Sequence, residues 1–520
     1  MNLQRLKPLL LPGLVALVAL VPRLIDLAAK PFWLDEAFTF HRASLAPAAL
    51  VKNSFQNHHM PSFFLMLSPL VGLGDPQFWL RLPSAVFGAL SVMLVFLIAR
   101  RVAGRTAGLV AALVIGLSPS ALAFSQEARS YTLEMCLILI SLYGIIRLAQ
   151  DIPAASARIF SPAARVGWLA FILGCIGALD VLGDSLPWLL AANFIGAALL
   201  RHSPNRRQLW LNFLLADLII ALFCAPFYAL LLMHQHGSFS NSVGWIPSLD
   251  LSRLWYNFGS VYFMRVADSV TYHLMSVPNP KWVVWLIDIA LCAAVLASGW
   301  ALRRRPAMLA VLGISFIFLP LMFTLVSIWR PIMIPRYILW SAAPFAILAG
   351  IGASLLLDSI SPRLRACALG VAAVLLLTNM APYYHIETKP RWDIAARILA
   401  RDVAPGDVVY LYDHNALPIL RVYLPKDKQN IVLNDSKGGL SHAMQAINQG
   451  RRVWAVYGHA GQSNEHHALA KFFNGARKLG PPDFVQLAGS RIVIVLYKPR
   501  GGVCTPALML PTQALKGCSG

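Results

Sequence analysis

Lys30-Pro31-Phe32-Trp33-Leu34-Asp35-Glu36-Ala37-Phe38 places two adjacent carboxylates just past an apolar run, residues 8–27, that is long enough to cross a bilayer. Ionised acids at the edge of a membrane are costly unless they face water, a cavity or a partner, so such a pair marks a functional site. Framed by Phe32, Trp33 and Phe38, Asp35 and Glu36 read as part of a membrane-surface active site.

Composition fixes the setting of that pair. Of 520 residues, 58% are hydrophobic and only 13% charged, about half the charged share of a soluble protein. The chain is a polytopic membrane protein, mainly α-helical. Its net charge of +21 would point to nucleic acid in a soluble chain, but the arginines cluster in short loops between apolar runs. They are topology signals and lipid-headgroup contacts, and nucleic acid is excluded as a partner. The basic N-terminus runs into an apolar stretch with no small-residue cleavage site, so the first span is expected to be retained.

Apolar runs near 8–27, 78–99, 107–125, 130–147, 166–183, 186–200, 209–233, 282–302, 307–328, 334–357 and 364–381 give about 11 expected transmembrane helices. With the N-terminus inside, Arg100, Arg101 and Arg105, then Arg147, Arg158 and Arg165, then Arg201, Arg206 and Arg207 fall on the cytoplasmic side. Arg303, Arg304 and Arg305, and finally Arg363 and Arg365, follow the same positive-inside bias. The long loops 28–77 and 234–281 and the tail from about 383 then face outward. The expected domains are a membrane domain, 1–382, and an extracytoplasmic α/β domain, 383–520. Segment 59–74, apolar but short and holding Pro61 and Pro69, suits helices lying at the interface within the first outer loop.

In the tail, 393–399 has helical spacing, and 408–412, 453–457 and 492–496 read as buried strands for which parallel pairing is expected. No Gly-rich phosphate loop follows them. Cys136, Cys175, Cys224, Cys292 and Cys367 lie in apolar spans. Cys504 and Cys518 remain in the tail, where an oxidising exterior would let them pair.

The polar residues that could carry chemistry gather on the outer side: Asp35, Glu36, His41, His58 and His59 in the first loop, Gln126-Glu127-Ala128-Arg129-Ser130-Tyr131 in the next outer turn, and Pro335-Arg336-Tyr337 opening a late span. A carboxylate there can act as general base on an acceptor hydroxyl. Guanidinium groups can hold a phosphate leaving group bidentately. Blander readings stand beside these. Asp35-Glu36 could cap a helix, Glu127 and Arg129 could pair with each other, and Arg336 could snorkel to the interface.

In Trp33-Leu34-Asp35-Glu36-Ala37, His59-x-Pro61, Gln126-Glu127-Ala128-Arg129-Ser130-Tyr131 and Pro335-Arg336-Tyr337, the chain resembles the multi-span glycosyltransferases of the C-type fold. The nearest likeness is to bacterial relatives of protein mannosyltransferases and aminoarabinose transferases. Lys389-Pro390-Arg391-Trp392-Asp393 and Pro405-Gly406-Asp407-Val408-Val409 resemble the opening of that family's outer domain. The resemblance implies inverting transfer of a sugar from a polyprenyl-phosphate donor to a lipid, glycan or protein acceptor, lipid A or lipopolysaccharide among them. It implies Asp35 as base with Glu36 beside it. His59, Glu127, Arg129, Tyr131, Arg336 and Tyr337 would bind substrate. Met60 departs from the family's His-Pro-Pro pattern, which loosens any role for His59. No cofactor is required and no metal ligand is assigned, although a divalent ion at Asp35 or Glu127 is compatible with this chemistry. The expected location is the bacterial inner membrane, with the site and the tail facing the periplasm. Two other functions use the same features, a flippase for lipid-linked sugars and an oligosaccharide ligase or polymerase. The flippase would call for ionisable residues at mid-span, and such charges are few, with Asp217 and Asp288 lying near span interiors.

Overall fold

The computed structural model describes residues 7–157, 159, 161–235, 246–268, 273–275, 278–411, 416–433, 439–458, 484–488 and 492–497. The chain forms two compact units. The first comprises the chain up to Ala29, Thr39–Asp268 and the stretch ending at Ile386. The second comprises Lys30–Phe38 and the chain from Glu387 onward. Along the later part of the chain the division between the units falls at Glu387. That the acidic segment Lys30–Phe38 groups with the tail is not visible from sequence order.

The first unit is helical. Helices α1 (Lys7–Leu24), α2 (Leu34–Ala43, whose first turn belongs to the second unit), α3 (Pro47–Gln56) and α4 (Ser62–Leu67) are followed by α5 (Pro76–Ala103), α6 (Arg105–Gly116), α7 (Pro119–Ser125) and α8 (Tyr131–Gln150). Next come α9 (Ile152–Ala155), α10 (Arg165–Val181), α11 (Leu186–Leu200) and α12 (Arg206–His234). The remaining long helices are Lys281–Leu302, Pro306–Trp329, Ala342–Leu357 and Pro362–Met380.

Each of the eleven apolar segments is helical. Among the described residues, seven helices are long and apolar enough to cross a membrane singly, or up to eight if the bent α6–α7 pair counts as one. The difference from eleven has local causes. The expected span 107–125 is two helices at 63° because Pro119 has no N–H to continue the ladder. Helices α10 and α11 are only 17 and 15 residues long, and the apolar stretch of α1 is the short Leu10–Leu24. Before α5, α3 and α4 are short helices of 10 and 6 residues, and α4 falls within the segment 59–74 for which short helices are expected.

Close backbone approach holds the helical layer together. A Cβ on Gly144 of α8 would lie 2.5 Å from Gly167 O, and one on Gly174 of α10 would lie 2.6 Å from Ser141 N. Glycine at these positions lets α8 and α10 touch along their length, the usual way apolar helices gain contact where no hydrophobic force separates them from lipid.

In the second unit a mixed sheet runs in the strand order 432–433, 408–411, 453–457, 492–497 and 484–488. A small antiparallel pair precedes it in the first unit, β1 (Ala267–Asp268) with β2 (His273–Leu274). The sheet consists of β3 (Val408–Leu411), β4 (Val432–Leu433), β5 (Val453–Tyr457), β6 (Phe484–Ala488) and β7 (Ile492–Tyr497). The expected parallel pairing holds for β3 with β4 and β5, whereas β7 runs antiparallel to both neighbours. Alternation along the strands covers both faces. Val409, Leu411, Trp454 and Val456 pack with Trp392 and Leu399 of helix Trp392–Asp402. Val408, Tyr410, Val453 and Ala455 pack with Ala443 and Ala446 of helix Gly439–Asn448. Such a sheet is buried on both sides, which is why its strands read as continuous apolar runs. The pair Cys504 and Cys518 lies outside the described residues.

Asp407 closes the base of this sheet. Gly406 turns the chain at φ 93°, and the Asp407 carboxylate then accepts from Arg452 Nε at 2.8 Å and Nη2 at 2.5 Å, from Trp454 Nε1 at 2.9 Å and from Ala404 N at 2.9 Å. Burial pushes this carboxyl up, but Arg452, Trp454 and the Ala404 N–H together hold it below the usual carboxylate range. A depressed acid stabilises the fold above its unfolded pKa, and that stability is lost as pH falls through the folded value. Asp407→Asn is expected to cost about 2 kcal/mol at neutral pH, in line with hydrogen bonds to a charged group. The loss should shrink as pH drops below about 4. Thermal unfolding of wild type and variant from pH 7 down to pH 3 reads both effects.

Candidate active site

Past α1 the chain leaves helical geometry, and its free carbonyls are taken up by side chains from other helices. Gln126 Nε2 donates to Arg23 O at 3.1 Å and to Ile25 O at 2.6 Å. Arg81 Nη1 donates to Leu27 O at 2.9 Å, and Gln77 Nε2 to Ala28 O at 2.9 Å. Arg23, wholly buried, donates from Nη1 to Ala19 O at 2.7 Å and to Gly116 O at 3.3 Å, the carbonyl at the α6–α7 break, and from Nε to Ser125 Oγ at 3.1 Å. Gly88 of α5 makes room for this meeting, since a Cβ there would overlap Ser125 Oγ.

The turn 126–130 sits against this framework. Ser84 Oγ donates to Arg129 O at 3.0 Å, and Thr132 Oγ1 to Ser84 O at 2.9 Å. The Arg129 side chain is buried; Nη1 donates to Thr39 Oγ1 at 3.4 Å and Nη2 to Tyr131 OH at 3.5 Å. Arg42 of α2 donates from Nε to Asn53 Oδ1 at 3.0 Å and lies 4.5 Å from the Phe64 ring centre. His59 meets the same ring edge-on at 5.9 Å. Part of the His59 surface is accessible, yet the ring is deeply surrounded. Burial lowers its pKa well below the ordinary histidine value, and Arg129, Arg42, His58 and Arg336 lower it further. His59 is therefore neutral at physiological pH and sits in the field of three guanidinium groups. Arg336 is half-buried, its Cζ 5.7 Å from the Tyr337 ring, which packs on Phe323 at 6.0 Å.

Guanidinium groups stay charged, and three of them lie within electrostatic reach of one histidine. Glu127 is buried in the same turn, its backbone O accepting from Arg129 N at 2.8 Å. Among the described residues no three His, Cys, Asp or Glu side chains gather as a metal site.

In the second unit, Asp35 and Glu36 occupy the first turn of α2, where the helix dipole favours acids. Asp35 is half-buried. Glu36 is wholly buried; its Oε2 accepts from Lys389 Nζ at 2.8 Å and from Trp33 N at 3.4 Å. Ala37 belongs to the apolar cluster of the tail, and Phe32 N donates to Tyr423 OH at 2.7 Å. The segment is thus fastened by an ion pair, a backbone bond and apolar packing within one unit.

Within the first unit the structure brings His59, Arg129, Tyr131 and Arg336 into mutual influence, with Tyr337 beside Arg336 and Glu127 in the turn of Arg129. Sequence reading passed over Thr39, Arg42, Asn53, Arg23, Arg81 and Lys389. A signal existed for Arg81, an arginine inside an apolar run, and for Lys389, which opens the quoted Lys-Pro-Arg-Trp-Asp stretch. Nothing in sequence pairs Lys389 with an acid 353 positions earlier.

The family model described as dolichyl-phosphate-mannose-protein mannosyltransferase matches residues 58–229, less than half of the chain. The sequence matches no curated protein. In structure the chain is similar to ArnT from Cupriavidus metallidurans in the apo state, with 18% identity and a TM-score of 0.56 over 93% of this chain and 97% of that one. ArnT bound to undecaprenyl phosphate matches at 17% identity and TM-score 0.54, covering 94% and 98% of the two chains. The oligosaccharyltransferase AglB from Archaeoglobus fulgidus, in complex with an inhibitory peptide and a dolichol-phosphate, matches at 12% identity and TM-score 0.55, covering 89% and 71%. At these identities the likeness is one of fold.

Removing one partner of a buried ion pair leaves the other charge uncompensated, at a cost of about 3–5 kcal/mol. Lys389→Met is expected to destabilise the protein by that amount, and the double variant Glu36→Gln/Lys389→Met to recover most of it. A double-mutant cycle on thermal or denaturant unfolding checks the pair, and additive effects would show that Glu36 and Lys389 do not act together.

Proposed function

We propose that this chain, which has the C-type fold of polytopic glycosyltransferases, transfers a sugar from a polyprenyl-phosphate donor to an acceptor hydroxyl outside the cytoplasm. The observation that carries the reading is the gathering of Arg129, Arg42 and Arg336 within electrostatic reach of His59, beside the turn that holds buried Arg129 against Thr39 and Tyr131. The relatives in fold support the choice of anion, since ArnT is seen with undecaprenyl phosphate and AglB with a dolichol-phosphate.

In this reading Asp35 is the general base. The acceptor oxygen bonds to the anomeric carbon as the bond from that carbon to the phosphate oxygen breaks. The hydroxyl proton passes to the Asp35 carboxylate, and the bonding pair leaves with polyprenyl phosphate. Attack opposite the leaving group inverts the anomeric configuration. Arg129, Arg336 and Arg42 neutralise the charge that grows on the phosphate, which is the largest service such a site renders. Tyr131 and Tyr337 flank two of these guanidiniums and hold them in place. Neutral His59 offers a hydrogen bond without adding a fourth charge. Glu127 is assigned to substrate binding in the turn of Arg129. Glu36, occupied by Lys389, fixes the first turn of α2 and so positions Asp35 rather than taking the proton itself.

The acceptor class is a lipid such as lipid A or lipopolysaccharide, a surface polysaccharide or a protein. The location is the bacterial inner membrane, with the chemistry on the periplasmic side, because a lipid carrier delivers activated sugar where nucleotide sugars are absent. Purified protein given a polyprenyl-phosphate sugar and membrane extract is expected to release polyprenyl phosphate. Asp35→Asn should lower the rate about 100-fold or more, the usual loss when a general base is removed, with expression intact. Full activity in that variant would overturn the mechanism.

A further inference from the structure

Three loops far apart in sequence are fastened together at one end of the first unit. The first joins α5 to α6 at Arg100–Arg105, the second joins Lys281–Leu302 to Pro306–Trp329 through 303–305, and the third joins Ala342–Leu357 to Pro362–Met380 through 358–361. Arg305 Nη1 donates to Val102 O at 2.9 Å, tying the second loop to the first. Thr106 Oγ1 donates to Asp358 Oδ1 at 2.6 Å, and Arg365 Nη1 reaches Thr106 Oγ1 at 3.2 Å, tying the third to the first.

Over positions 100–106, 303–305 and 358–365 the chain has eight arginines and one acid, Asp358. That acid is already engaged, with Arg365 Nη1 at 2.9 Å. Arg100, Arg101, Arg105, Arg303, Arg304 and Arg363 are exposed. Trp300, 60% exposed on the apolar helix just below, lies under Arg303 with its ring centre 3.7 Å from Cζ. An exposed tryptophan at the end of an apolar helix is the mark of the headgroup level.

Arginines that merely set topology need no particular place relative to one another. Here the loops are cross-linked, so the charges are held on one face at the depth where lipid phosphates lie. From this we infer that the face is a binding site for the phosphate headgroups of anionic phospholipids, assembled from Arg105, Arg304 and Arg363 on the three loops. Its basis is independent of the proposed transfer reaction, since none of these residues takes part in it.

The test uses the purified full-length protein in neutral detergent. Its melting temperature is followed while phosphatidylglycerol, phosphatidylcholine or inorganic phosphate is added. Phosphatidylglycerol should raise the melting temperature, and phosphatidylcholine should not. Each arginine removed should weaken the apparent lipid affinity about fivefold, so Arg105→Gln/Arg304→Gln/Arg363→Gln should weaken it roughly a hundredfold. The matching triple lysine variant should retain it, and so should Arg206→Gln/Arg207→Gln, which alters exposed arginines elsewhere. The single variant Arg304→Gln, on an exposed turn, gives the same reading if the triple variant does not fold. An unchanged lipid response in the glutamine variants would overturn the proposal. So would a response reproduced by inorganic phosphate alone.

Discussion

A carbonyl freed by a break in an apolar helix must find a donor within the protein, because lipid supplies none. This chain breaks its helices at two neighbouring places, after α1 and between α6 and α7, and four side chains answer the need. Arg23 bonds the carbonyl of Ala19 in α1 and the carbonyl at the α6–α7 break, while Gln126, Arg81 and Gln77 take up the carbonyls of residues 23, 25, 27 and 28. The turn that carries Glu127 and Arg129 begins with one of these donors, Gln126. The proposed site residues and the framework are therefore one construction, and a change to Arg23 or Gly88 would be felt at Arg129 without touching it.

In the cluster that grows from this framework, burial lowers the His59 pKa, and Arg129, Arg42, His58 and Arg336 lower it further. Asn53 accepts from Arg42, Thr39 accepts from Arg129, and the Tyr337 ring lies beside Arg336. The acids at the start of α2 are treated in opposite ways. Glu36 is wholly buried against Lys389, whereas Asp35 keeps partial exposure.

Much of this was legible in the residues, and the rest was hidden for physical reasons. Apolar length located the eleven helical segments, and β-branched runs located β3, β5 and β7. The α6–α7 break was readable from Pro119 but lies inside a run whose hydropathy is uninterrupted. Strand β6 escaped notice because Gln486 interrupts its apolar pattern, and the antiparallel course of β7 depends on a neighbour that sequence does not name. The outer-turn motif Gln126–Tyr131 was recognised as a unit, yet Arg42 was not, since its role comes from Asn53 and Phe64 folding back upon it. Long-range pairs such as Glu36 with Lys389 are invisible in one sequence because nothing local requires them.

The central claim is that the arginine cluster around His59 holds the phosphate of a polyprenyl carrier. It is tested most directly by the affinity of the purified protein for undecaprenyl phosphate carrying no sugar, compared among wild type, Arg129→Gln and Arg336→Gln. Charge-assisted hydrogen bonds of about 1.5–3 kcal/mol predict at least a tenfold loss in each variant, with wild-type affinity falling as salt is raised. Equal affinity in all three proteins would contradict the account.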